Sequence, residues 1–116
     1  MEHTILVVDD QFSMQEWIRS MLQSAGYNVI TADDGTTGIY LAQTEHPILT
    51  MVDFNLPRMS GMEFYQCLHN NPQTSNIPVL FITNEETGED NSCSLRKPFS
   101  RLSLLHKVEQ MVPAHV

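Results

Sequence analysis

Basic residues are scarce in this chain of 116 residues. Six Lys and Arg stand against fourteen Asp and Glu, a formal charge of −8 with His neutral. A nucleic-acid reader needs a basic face to meet phosphates, and an anionic membrane attracts clustered Lys and Arg. So few cations argue against both as direct partners and suit a chain that binds metal cations. Cysteine is nearly absent too: Cys67 and Cys93 lack the spacing of a metal site and read as reduced thiols of an intracellular protein. The start, MEHTILVVDD, has no basic n-region and no cleavage site, and no apolar run approaches the ~18 residues of a membrane span. A cytoplasmic location is expected. No repeat, low-complexity tract or linker interrupts the chain, so residues 1–116 read as one domain, long enough for its own core. The five His (His3, His46, His69, His106, His115) share no metal-ligand spacing and read as surface residues, and the seven Met read as core filler.

What is present is an alternation of strand-like and helix-like segments. Thr4 to Asp9 is a short apolar run ending in acids, the mark of a buried strand. Met14, Trp17, Ile18, Met21, Leu22 and Ala25 then recur at helical spacing, with Gly26 as the stop; Trp17 is expected in the core. Asn28 to Ala32 reads as a second strand and Asp33-Asp34-Gly35 as a turn. Thr36 to Glu45 reads as a helix with Ile39, Leu41 and Ala42 inward, ended by His46-Pro47. Ile48 to Asp53 is a third strand, Asn55 to Gly61 a turn-rich loop, and Met62 to Asn70 a helix stopped before Pro72. Val79 to Thr83 is a fourth strand and Cys93 to Arg96 a weak fifth. Ser100 caps a last helix with Leu102, Leu105, Val108 and Val112 on one face.

Strands alternating with helices imply right-handed βαβ units and a parallel sheet, which carries its functional groups at the carboxyl ends of the strands. Those ends here bear Asp9 and Asp10, Asp53, Thr83 and Lys97. Carboxylates converging at one sheet edge repel one another, so either some protonate or a cation joins them. Mg²⁺ is the cation that suits an all-oxygen site of one or two carboxylates, a carbonyl and waters. Lys97 adds a point charge for phosphate oxygens and Thr83 a hydroxyl donor.

Four segments together resemble the response-regulator receiver family: Val8-Asp9-Asp10, the D-x-x-L-P-x-M-x-G loop from Asp53 to Gly61, Phe81-Ile82-Thr83, and Lys97-Pro98-Phe99. The resemblance covers residues 4–112. It implies an α/β, flavodoxin-like doubly wound sheet of five parallel strands in the order 2-1-3-4-5. It implies that Asp53 is the phosphoacceptor, that Asp10, and Asp9 partly through water, hold Mg²⁺ with Asp53 and the Asn55 carbonyl, and that Thr83 and Lys97 meet the phosphoryl oxygens. It implies a cis Lys97–Pro98 peptide and a close backbone turn at Gly61. The phosphodonor would be a histidine kinase or a phosphotransfer protein. The Asp53 carboxylate would attack its phosphohistidine in line, Mg²⁺ and Lys97 offsetting the repulsion between two anions. Water would later hydrolyse the acyl phosphate past Asn55 and Glu85. The chain is expected not to be an enzyme in the ordinary sense, and to signal through an unknown downstream protein.

Two positions depart from the family. Three residues before Lys97, where receivers usually carry an aromatic switch residue, stands Ser94. Thirteen residues separate Thr83 from Lys97, fewer than the family usually has, and Asn84 to Ser92 has no apolar stripe. A helical crossover needs ~10–12 residues or more, so the helix usually found there is expected to be absent or reduced to a turn. Some of Val79, Leu80, Phe81, Ile82 and Leu95 would then be exposed and covered by a partner or by a second copy, in a homodimer that could exchange the fifth strand and last helix; the alternative is a loop that folds back over the patch. A strictly monomeric species in light scattering at high concentration would count against that dimer. The alternative function is a pseudo-receiver, a phosphorylation-independent binding or dimerisation module. A haloacid-dehalogenase-type phosphatase needs a second Asp where Asn55 stands. A flavodoxin-like electron carrier needs a Gly-rich phosphate loop where Asp9-Asp10-Gln11 would repel the anion.

Overall fold

The computed structural model describes residues 3–83 and 94–112. Within them the chain runs β1 (Thr4–Val8), α1 (Phe12–Ser24), β2 (Asn28–Ala32), α2 (Gly35–Glu45), β3 (Leu49–Asp53), α3 (Gly61–His69), β4 (Val79–Thr83), β5 (Ser94–Arg96) and α4 (Arg101–Met111). All four strand pairings are parallel and the order is β2-β1-β3-β4-β5. The expected α/β sheet, its order and its element sequence are as observed.

The sheet is covered on both faces, which is why its central strands read as unbroken apolar runs. Period-two alternation sorts those runs into two cores. Ile5 and Val7, Leu49 and Met51, and Leu80 and Ile82 pack with Ile18 and Leu22 of α1 and with Leu104 and Val108 of α4. Leu6 and Val8, Val52, and Val79 and Phe81 pack with Ala42 of α2 and with Phe64 and Leu68 of α3. Each of these side chains larger than Ala contributes roughly 1.5–3 kcal/mol by leaving water.

Local signals set the boundaries. Asp34 Oδ1 accepts the Thr37 N–H at 2.8 Å and caps α2. Ser60 and Glu63 form a capping box at the head of α3. Ser100 caps α4, its Oγ accepting the Ser103 N–H at 3.0 Å. Past α1, Gly26 has φ +98°, a backbone that a side chain disfavours. His46 closes α2 in a left-handed conformation.

Several side-chain expectations are corrected. Trp17 is 42% exposed, its ring tilted against Phe99 with centroids 5.1 Å apart. The buried line of α1 runs through Gln15, Ile18 and Leu22, which leaves position 17 on the flank. Leu102 is 78% exposed, and Leu104 with Val108 forms the buried face of α4 instead. The two stripes share Val108, so periodicity alone admits both. On α2, Gly35, Gly38 and Ala42 are buried, with Ile39 and Leu41 at the margin. His46, His69 and His106 are exposed as expected, His3 is half-buried, and His115 lies outside the described residues.

The expected exposure along β4 is not met. Val79, Leu80, Phe81 and Ile82 are all buried, and only Leu95 is half-buried. Phe81 has the Phe54 ring edge-on at 5.6 Å and the Tyr65 ring at 5.9 Å. A groove of about 450 Å³ lies beside this cluster, between α3 and the start of β4. The expected absence or reduction of a helix after β4 falls on residues 84–93, outside the described residues, as does Glu85.

Candidate functional site

The carboxyl ends of β1 and β3 are neighbours in the sheet, and each leads into an acid. Both acids turn the chain in the same way. Asp9 Oδ1 accepts the N–H of Gln11, and Asp53 Oδ1 accepts the N–H of Asn55, each at 2.9 Å. Such a turn lets a short carboxylate satisfy the amide two residues on and leaves its other oxygen to the site. Asp10 follows Asp9 and is exposed. One carboxylate oxygen from each of Asp9, Asp10 and Asp53 lies within 4.8 Å of the other two.

The opposite charge arrives from β5. The Lys97 N–H donates to Thr83 O at 2.7 Å, extending the β4–β5 pairing by one residue. Its Nζ then reaches Asp53 Oδ2 at 3.4 Å, with both side chains largely buried. The Lys97–Pro98 peptide is cis, as the resemblance implied. Thr83 is buried at the end of β4, one residue beyond Ile82, the partner of Asp53 in the sheet.

Gly61 makes room for the loop that follows Asp53. Its N–H donates to Phe54 O at 2.9 Å. A Cβ there would sit 2.8 Å from Phe54 Cα and 3.1 Å from Asp53 O, both backbone atoms. The close approach expected of this glycine is therefore present.

Charge at the site is only partly balanced. Asp9 is 1% exposed, and burial, more than any other cause, raises its carboxyl above the ordinary carboxylate range. The Gln11 N–H and Lys97 oppose that rise, while Asp53 and Asp10 add to it. Asp9 Oδ2 is buried with no hydrogen-bond partner among the described residues. An orphaned buried carboxylate oxygen beside two more carboxylates is a donor set made for a small hard cation. The residues present therefore fit Mg²⁺.

Sequence reasoning missed Gln15. It is buried, and its Nε2 donates to Asp9 O, to Ala32 O at 3.2 Å and to Asp33 Oδ1 at 2.7 Å. The available signal was a polar residue at helical spacing with Ile18 and Leu22 on the apolar face of α1.

The family model for the response regulator receiver domain matches residues 5–109. The chain belongs to the response-regulator receiver family. It is 33% identical over 119 residues to the transcriptional regulatory protein HprR of Escherichia coli, a match covering 96% of this chain and 52% of that protein. It is 28% identical to the protein PilG of Pseudomonas aeruginosa, covering 95% of this chain and 87% of that one. The structure of the chemotaxis response regulator CheY4 of Vibrio cholerae superposes with a TM-score of 0.89 at 30% identity, over 97% of this receiver and all of that chain. This receiver spans about half the length of the first curated relatives it matches. Among the described residues, no helix is long and apolar enough to cross a membrane.

Proposed function

We propose that this receiver accepts a phosphoryl group on Asp53 from a histidine kinase or a phosphotransfer protein, and passes the signal on by protein–protein contact. The observation that carries the reading is the juxtaposition at Asp53: a buried carboxylate with Lys97 Nζ at 3.4 Å, clustered with Asp9 and Asp10. In the proposed step an Asp53 carboxylate oxygen forms a bond to phosphorus. The bond from phosphorus to the donor's imidazole nitrogen breaks, and its electron pair stays on that nitrogen. Asp9, Asp10, Asp53 and the Asn55 carbonyl would hold Mg²⁺, which supplies positive charge to an encounter between anions. Lys97 Nζ and the Thr83 hydroxyl would take the phosphoryl oxygens as negative charge gathers on them. The Asn55 N–H fixes the plane of the Asp53 carboxylate through Oδ1.

Beryllofluoride with Mg²⁺ tests this, because it mimics an aspartyl phosphate. Mg²⁺ alone should shift the Asn55 amide resonance saturably, and beryllofluoride added with Mg²⁺ should give a further saturable shift of the Asn55 and Lys97 amides that beryllofluoride without Mg²⁺ does not. A spectrum unmoved by the pair would leave the pseudo-receiver reading. That reading draws on Ser94, which lies opposite Phe81 in the β4–β5 pairing where receivers usually carry an aromatic.

The raised pKa of Asp9 makes both stability and metal affinity depend on pH. Without metal, ionised Asp9 is less favourable in the folded chain than in the unfolded one. Its contribution to stability is therefore complete below the unfolded pKa and is lost as pH rises through the raised folded value. Mg²⁺ binds the ionised form, so its affinity should rise with pH through the same window and then level off. Melting curves should show a larger Mg²⁺-induced rise in Tm at neutral pH than in acid. An equal rise at both would contradict the assignment of Asp9 as a ligand.

A further inference from the structure

We infer that Gln15 is a positioning residue for the cation site, setting its affinity by holding Asp9 in place; the inference rests on the Mg²⁺ reading above. Asp9 is gripped through its main chain as well as its side chain. Its N–H donates to Ala32 O at 3.1 Å, and its carbonyl accepts from Gln15 Nε2. The same nitrogen reaches Ala32 O and the carboxylate of Asp33. One buried amide thus ties the end of β1 to the end of β2 and to the loop leading into α2. An amide NH₂ has two hydrogens, so three acceptors around one nitrogen share them and hold it from three sides.

The residue type suits the place. The Gln15 N–H also continues α1, donating to Gln11 O at 3.1 Å, and the Gln11 N–H in turn binds Asp9 Oδ1. Gln15 therefore meets Asp9 twice, directly and through the first turn of the helix. Glu would set a carboxylate against the Asp9 carbonyl and Asp33. Gln gives donors without charge. A ligand held by its supporting contacts loses no freedom when the cation arrives, and removing such contacts typically weakens metal binding about 10–100-fold.

The test is a titration of the whole chain with MgCl₂ alone, following the Asn55 amide by NMR, for wild type, Gln15→Met, Gln15→Asn and Thr74→Val. Met keeps the length and removes the donors. Asn keeps the amide one methylene short, so one of the two can be read if the other folds poorly. Thr74→Val is the control for simple destabilisation: its buried hydroxyl donates to Leu68 O at 2.7 Å, at the far end of α3. Expected is a dissociation constant about 10–100-fold higher for both Gln15 variants and unchanged for Thr74→Val. Wild-type affinity in a folded Gln15 variant overturns the inference while Asp53 and its neighbours keep their assigned roles. Equal weakening in Thr74→Val overturns it too, by making the effect one of general stability. No saturable response in the wild type would remove the Mg²⁺ reading and this inference together.

Discussion

Asp53→Asn is expected to abolish phosphoryl transfer from a histidine kinase or a small acyl phosphate donor, and to leave the metal-free fold at least as stable. The two outcomes have separate causes. A carboxamide oxygen is too weak a nucleophile to capture phosphorus, and it no longer offers a full charge to a cation. The fold keeps what it needs, since Asn retains the Oδ1 that accepts the Asn55 N–H. The charge balance favours the variant: among the described residues, Asp53 faces Asp9 and Asp10 within 4.8 Å and pairs with Lys97 at 3.4 Å. Two repulsions at no more than 4.8 Å outweigh one attraction at 3.4 Å when the dielectric is shared. Filter-bound radiolabel measures the first outcome and urea denaturation without Mg²⁺ the second. A phosphorylated Asn variant would sink the acceptor assignment. A collapse in stability would mean that Asp53 is mainly half of a structural ion pair.

Phe64→Ala should have the largest effect on stability, about 3–5 kcal/mol, the range for truncating a buried aromatic. Phe64 is wholly buried on α3 among Leu6, Val8 and Val52. It also fills the notch that Gly38 leaves on α2: a Cβ on Gly38 would meet Phe64 Cε1 at 2.9 Å and Val8 Cγ2 at 2.8 Å. The ring therefore joins α2, α3 and β1, and neither helix can collapse into the space without moving the other. Against the ~5–15 kcal/mol that holds an ordinary domain, the loss lowers Tm by roughly 10 °C or more. Calorimetry measures it. A change below about 1 kcal/mol would mean that the two helices repack freely.

The sheet and its working edge were legible because each rests on a local pattern with one physical meaning. A short, largely apolar run leading into an acid, at Thr4–Val8 before Asp9 and again at Leu49–Val52 before Asp53, reads as a buried parallel strand delivering a carboxylate. Gly61 was legible from its place in the loop motif, and its crowding against Phe54 gives the reason. Helix rotation was not legible in the same way. Leu102 and Leu104 both fit a stripe with Val108, and only the flank of the sheet on which α4 lands chooses between them. Trp17 lies outside the core where it was expected inside, and Gln15, for which the sequence raised no expectation, is buried, for a related reason. A polar side chain can be buried where three acceptors converge, and those acceptors come from β1, β2 and the following loop. No pattern within α1 contains them.

The most direct test is to locate the phosphoryl group chemically. The chain is incubated with a phosphodonor and Mg²⁺, then reduced with borohydride, which converts an aspartyl phosphate to homoserine, and mapped by mass spectrometry. Homoserine at position 53 alone, lost when the metal is chelated, is the expected result. Modification at another residue, or the same yield at position 53 without metal, would contradict a phosphoacceptor built on Asp53 and its cation.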